Sequence, residues 1–188
     1  MNKKDLIFEL NSWQTAERIH RDKSAKFVSD HPETVTYLIE IVFEDQKRMN
    51  IKAAWILEIV CFKNIYSIAP FLDYFTQNLI KIKDESALRP IAKVCSFIAH
   101  TYYSTPKNEI NNKLTKNNIE LIVESNFDWL IEDHKVACKV FAMDTLLLFG
   151  REFDWVHGEL KLTIEKNMMN GSAGYKSHAK KILKELNS

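Results

Sequence analysis

The sequence is short of the residues that make sharp turns, with four glycines and four prolines in 188 residues. Soluble proteins average ~7% and ~5% of each. A chain of short strands and tight turns cannot be built from so few turn residues, so the composition points to helices. Cysteine is scarce too. Cys61, Cys95 and Cys138 are an odd number scattered through helical segments, which excludes a disulfide framework and reads as buried thiols in a reducing compartment. No long hydrophobic run is present. The most apolar stretches, 53–62 and 141–149, are broken by Glu58 and Asp144, and both are too short to cross a bilayer. Asp5 and Glu9 interrupt the first ten residues, so they do not read as a signal peptide. The expected location is the cytoplasm, with no membrane partner. An excess of either charge is also missing: 26 Lys+Arg against 25 Asp+Glu gives +1. That argues against bulk electrostatic binding of nucleic acid and leaves only a local basic stripe.

The usual catalytic signatures are absent as well. The chain has no His-Glu-x-x-His, no Cys-x-x-Cys, no phosphate-cradling glycine loop and no Gly-x-Ser-x-Gly. Two of the six histidines follow a carboxylate at helical spacing, Glu17-x-x-His20 and Asp154-x-x-His157. A di-iron bundle needs two Glu-x-x-His copies and two further glutamates. One strict copy reads instead as a surface pair, and the other as a helix start. No catalytic residue, metal ligand or cofactor is assigned.

What is present is helical periodicity along nearly the whole chain. With 46% hydrophobic and 27% charged residues, a globular core is within reach. Helices are expected at 3–11, 13–30, 33–46, 48–63, 68–82, 85–104, 116–132, 134–149, 155–169 and 173–186. Pro32 and Glu33 suit a helix start. Asp84, Asp133 and Ser172 suit N-caps, and Gly150 and Gly171 suit helix ends. The segment 104–112 reads as a longer loop or a short helix. In Asp128-Trp129 and Asp154-Trp155 the expected roles are a packed Trp and a capping Asp, with aromatic anchors as the alternative.

Four helices share a pattern: Met49-x3-Ala53-x3-Leu57, Leu88-x3-Ala92-x3-Ser96, Cys138-x3-Ala142-x3-Leu146 and Tyr175-x3-Ala179-x3-Leu183. The small residue lets a partner helix approach closely. An amphipathic helix precedes each copy, which gives a paired-helix unit with a period near 40. With Asp133-His-Lys-Val136 leading to Ala142-x3-Leu146, the pattern resembles HEAT and armadillo repeats. The resemblance implies an all-α, right-handed α-α superhelix of four to five pairs. One domain, 1–188, would hold capping helices in 1–31 and repeats in 33–187. A non-repetitive bundle is the structural alternative.

Lys52-Ala-Ala-Trp-Ile-Leu-Glu58, Arg89-Pro-Ile-Ala-Lys93, Phe127-Asp-Trp-Leu130, Phe153-Asp-Trp155 and Gly171-Ser-Ala-Gly-Tyr175 together resemble a family of short bacterial helical proteins often called adenylosuccinate lyase. The lyase signature is Gly-Ser-Ser-x-Met-Pro-x-Lys-x-Asn. Gly171-Ser172-Ala173-Gly174-Tyr175-Lys176 lacks its second Ser, its Met-Pro and its Lys spacing, so the loop that supplies the acid or base does not carry over.

With each repeat Ala as zero, positions −3, +1 and +5 form a stripe opposite the expected core. Its cations are Arg89, Lys93, Lys139, Lys176 and Lys180, interleaved with Phe97 and Met143. His100 falls on the same stripe and is the one candidate there for acid–base work. Trp55, about 200° round from Ala53, would pack against the adjacent repeat or edge the groove. In a HEAT-like array this stripe lines the concave surface. The expected function is therefore a non-enzymatic scaffold that binds a protein or other anionic macromolecule through a basic concave face. The alternative reading is nucleic-acid binding or DNA repair, as in HEAT-like alkylbase glycosylases, and a second alternative is lyase-type activity. A solvated lysine face is the plain counter-reading. Nothing in the sequence fixes the oligomeric state.

Overall fold

The computed structural model describes residues 1–44 and 48–187. Among these it holds eleven α-helices and no strand: α1 Lys3–Asn11, α2 Arg18–Asp30, α3 Val35–Phe43, α4 Met49–Lys63, α5 Leu72–Asn78, α6 Glu85–Tyr102, α7 Glu109–Lys113, α8 Lys116–Ile131, α9 Val136–Phe149, α10 Val156–Met168 and α11 Ala173–Leu186. Short 3-10 segments cover Pro32–Thr34, Ile65–Phe71, Leu79–Lys81 and Gly150–Glu152. No single helix among the described residues is long and apolar enough to cross a membrane.

Local side-chain chemistry explains five of the eleven α-helix starts. Asn2 and Asp5, and Thr115 and Asn118, exchange reciprocal side-chain-to-backbone bonds that satisfy otherwise orphaned N–H groups. The Asp84 carboxylate accepts from Ser86 N at 2.7 Å, and Ser172 Oγ accepts from Tyr175 N at 3.3 Å. Asn108 does the same for α7, so the segment 104–112 leads into a short helix.

Several expectations are corrected. Residues 68–82 are not one helix. Pro70 sits in a 3-10 segment, α5 follows it, and a second 3-10 turn ends the stretch. Proline lacks the N–H and clashes with the preceding turn, so an uninterrupted α-helix cannot pass through it cheaply. Helix α2 begins at Arg18 and not at 13, because Trp13 turns inward and its Nε1 donates to Ser24 Oγ at 2.9 Å. The expected helix over 33–46 reaches Phe43, and residues 45–47 lie outside the described residues. Asp133 does not cap α9. Lys135 holds the N-cap position, and its N–H reaches Glu85 of α6 at 3.3 Å. Asp128 lies within α8, and Trp155, with no side-chain cap bond, occupies the N-cap position of α10. Gly150 follows α9 in the right-handed region. Its lack of a side chain matters for another reason: a Cβ there would run into the His157 ring, which bonds Leu147 O at 2.9 Å.

The shared Ala pattern marks a row of helices. Helix α2 packs on α4, α4 on α6, α6 on α9 and α9 on α11. Ala53, Ala92, Ala142 and Ala179 are all fully buried, as close helix approach requires. Helix α3 packs on α4, α8 on α9, and α10 on both α9 and α11. The core runs continuously from Leu6 to Ile182. All three thiols are free and buried within it.

Candidate binding face

Helices α4 and α6 meet at a three-charge cluster. Arg89 and Lys93 lie one turn apart on α6, so both reach back over the same neighbour. Arg89 Nη2 donates to Glu58 Oε2 at 2.9 Å, and Lys93 Nζ donates to Glu58 Oε1 at 2.8 Å. The carboxylate is largely enclosed, while its two cations stay partly open. Two cations on one carboxylate leave the cluster with a net positive charge.

Aromatic rings surround it. Lys93 Nζ stands 5.5 Å from the centre of the Phe97 ring and 5.7 Å from that of Phe141 on α9, within cation–π range. Phe97 is tilted against Phe62 of α4 at 6.0 Å. Phe62 is 71% exposed, which is unusual for a phenylalanine. His100 is exposed too and shares a hollow of about 350 Å³ with Phe62, Phe97 and Tyr66. The structure thus brings Arg89, Lys93, Phe97 and His100 together.

The rest of the expected stripe is elsewhere. Met143 is fully buried, which corrects its place as a contact residue. The physical reason is the row itself. Position +1 faces the next helix, as Lys93 of α6 shows by reaching Phe141 of α9. In α4 and α9 the same position holds Ala54 and Met143, and both are buried. Lys139 lines a different hollow with Asn167, Ser172 and Tyr175. Lys176 and Lys180 flank His178, whose Nε2 pairs with Asp144 Oδ1 of α9 at 2.8 Å. Each is about 200° round the helix from His178, so both point away from α9. The five cations therefore do not form one ladder. Trp55 is half-buried beside α2, with the Arg21 guanidinium 5.4 Å from its ring centre.

Glu58, Phe62 and Phe141 were missed as site residues. Glu58 lies on the same stripe as the cations, and its sign was the available signal. The other aromatic dipeptides divide their roles. Trp129 is buried, while Trp155 is 51% exposed and stacks on Phe127 at 5.4 Å. Ser172 of the lyase-like segment is occupied as the α11 cap. His134 is held between Glu85 and Glu132, and His20 stacks on Trp13. Among the described residues no group of three or more His, Cys, Asp or Glu could hold a metal ion.

Comparison with protein-family models, with curated proteins and with solved structures gives no match.

Proposed function

We propose that the chain is a cytoplasmic, non-enzymatic helical-repeat scaffold that binds a protein partner through the face shared by α4 and α6. In this reading the helix pairs stack as a right-handed α-α superhelix, similar in kind to HEAT and armadillo arrays. The succession α2, α4, α6, α9, α11 and the four buried repeat alanines support it. Three buried, unpaired thiols suit a reducing compartment.

The observation that carries the binding site is Phe62. An exposed ring already packed at a tilt against a second ring, beside charges held in fixed positions by one carboxylate, has the make-up of an interface anchor. Little side-chain entropy remains to be lost there on binding. The net positive cluster favours a partner surface that sets a carboxylate next to an apolar side chain.

The test is affinity capture from native lysate, with and without nuclease. Wild type is compared with Phe62→Asp and with Lys139, Lys176 and Lys180 all changed to Glu. The expected result is one stoichiometric protein, lost with Phe62→Asp, retained by the lysine variant and indifferent to nuclease. Recovery of nucleic acid, or a protein partner lost only with the lysine variant, would overturn the assignment.

A further inference from the structure

A separate hollow of about 280 Å³ opens between the α1–α2 connection and α4, lined by Trp13, Gln14, Arg48, Ile51, Lys52 and Trp55. Among the described residues it has two cations on its walls and no carboxylate. Lys52 is only 8% exposed. Its Nζ donates to the backbone carbonyls of Leu10 and Trp13 at 2.7 and 2.5 Å and sits 4.3 Å from the Trp13 ring centre. Two of its three N–H donors are used, and one remains. Burial, together with the nearby Arg48 charge, holds this ammonium below the usual lysine range. Across Trp55, Arg21 stacks its guanidinium on the indole, and its buried Nε has no hydrogen-bond partner. Arg48 itself stands at φ 71, a left-handed conformation seldom adopted by residues other than glycine.

A buried cation without a counter-ion is costly to hold. Here Lys52 and Arg48 stand on the walls with Arg21 behind Trp55, and among the described residues the walls carry no carboxylate to offset them. An occupant that brings a negative charge on a flat apolar body would supply both complements. The volume lies at the small end of ligand sites, which restricts the occupant to about one ring system.

We propose that this hollow binds a small aromatic carboxylate. Its ring lies against Trp55 and beside the edge of Trp13, and its carboxylate is received by Arg48 and the remaining N–H of Lys52. The site is independent of the partner face at α4–α6, which uses other residues.

Indole-3-acetate titrated into the full chain tests it, read by the indole N–H resonances of the four tryptophans. The expected result is saturable movement of Trp13 and Trp55, with Trp129 and Trp155 unmoved. Indole-3-acetamide, the same ring without the charge, should bind about tenfold more weakly or worse. Arg48→Gln and Trp55→Leu should each weaken the acid by a similar factor while keeping the wild-type helical spectrum. These two spare Lys52, whose loss would unpair two backbone carbonyls and confuse folding with binding. No saturation at millimolar acid, equal binding of the acetamide, or joint movement of all four indoles would overturn the proposal.

Discussion

The two stretches of the helix row use corresponding positions around their buried alanines differently. Between α4 and α6 the charges find each other, with Glu58 holding both Arg89 and Lys93 amid Phe62, Phe97 and Phe141. Toward α9 and α11 the equivalent positions carry Lys139, Met143, Lys176 and Lys180. There Met143 is buried, and the three lysines have no ion-pair partner among the described residues. A helical position is therefore defined by what the next helix offers it. Lys93 meets a ring and a carboxylate, Met143 fills a closed seam, and Lys180 is exposed. The first stretch sets exposed Phe62 beside the paired charges of Glu58, Arg89 and Lys93, which is why binding is proposed there.

The largest expected effect comes from exchanging the two +1 residues. Met143→Lys buries an unpaired ammonium in a closed seam, and equilibrium urea denaturation should show a loss of about 3–5 kcal/mol. Lys93→Met keeps the Arg89–Glu58 pair and should cost about 1 kcal/mol or less. Similar costs at the two positions would break the comparison.

Removing the hub of the charge cluster should have a smaller effect. Glu58→Ala leaves two cations facing each other without their carboxylate, at an expected cost of about 1–2 kcal/mol. Changing Lys139, Lys176 and Lys180 should shift stability by no more than about 0.5 kcal/mol. Denaturation midpoints measured side by side decide whether charge at the first stretch is structural while charge at the second is only solvated.

The core supplies a pH dependence against which both stretches can be read. Burial raises the Cys61 and Cys138 thiols well above their ordinary value and Cys95 up to about 12. Unfolded thiols ionise near 9.0. Their contribution is therefore complete below that pH and is lost as pH rises through the interval up to the raised values. Lys52 works in the opposite sense. Its lowered value means that folding is penalised while it is protonated, and the penalty fades as pH rises toward 10.5. Three thiols outweigh one lysine, so stability should fall between pH 9 and pH 11, by at most about 1.4 kcal/mol per pH unit for each thiol. Replacing all three cysteines by Ala should lower stability overall and flatten that slope. An unchanged slope would contradict the burial of the thiols.

Local features were legible in the sequence, and contacts between helices were not. Asp84 and Ser172 were readable as caps because a cap is decided within three residues of chain. The burial of Ala53, Ala92, Ala142 and Ala179 was readable because a close helix contact demands a small residue. Asp133 failed as a cap because the carboxylate that serves α9 comes from Glu85, on another helix. Met143 failed as a surface residue because its angle on α9 does not reveal which side the next helix takes. Lys52 gave no sign of burial, since its partners are backbone carbonyls of Leu10 and Trp13, about forty residues earlier. The candidate face was half legible. The cations on α6 were found, but the glutamate and the rings from α4 and α9 that complete the face belong to neighbours the sequence does not order in space.

Site-specific photo-crosslinking in the native cell is the most direct measurement of the central claim. A benzophenone amino acid replaces Phe62 in one strain and Lys180 in another, both exposed positions that the core does not need. The account predicts a discrete protein adduct from position 62 and none from position 180. The reverse pattern, or the same adduct from both, would contradict the assignment of binding to the α4–α6 face.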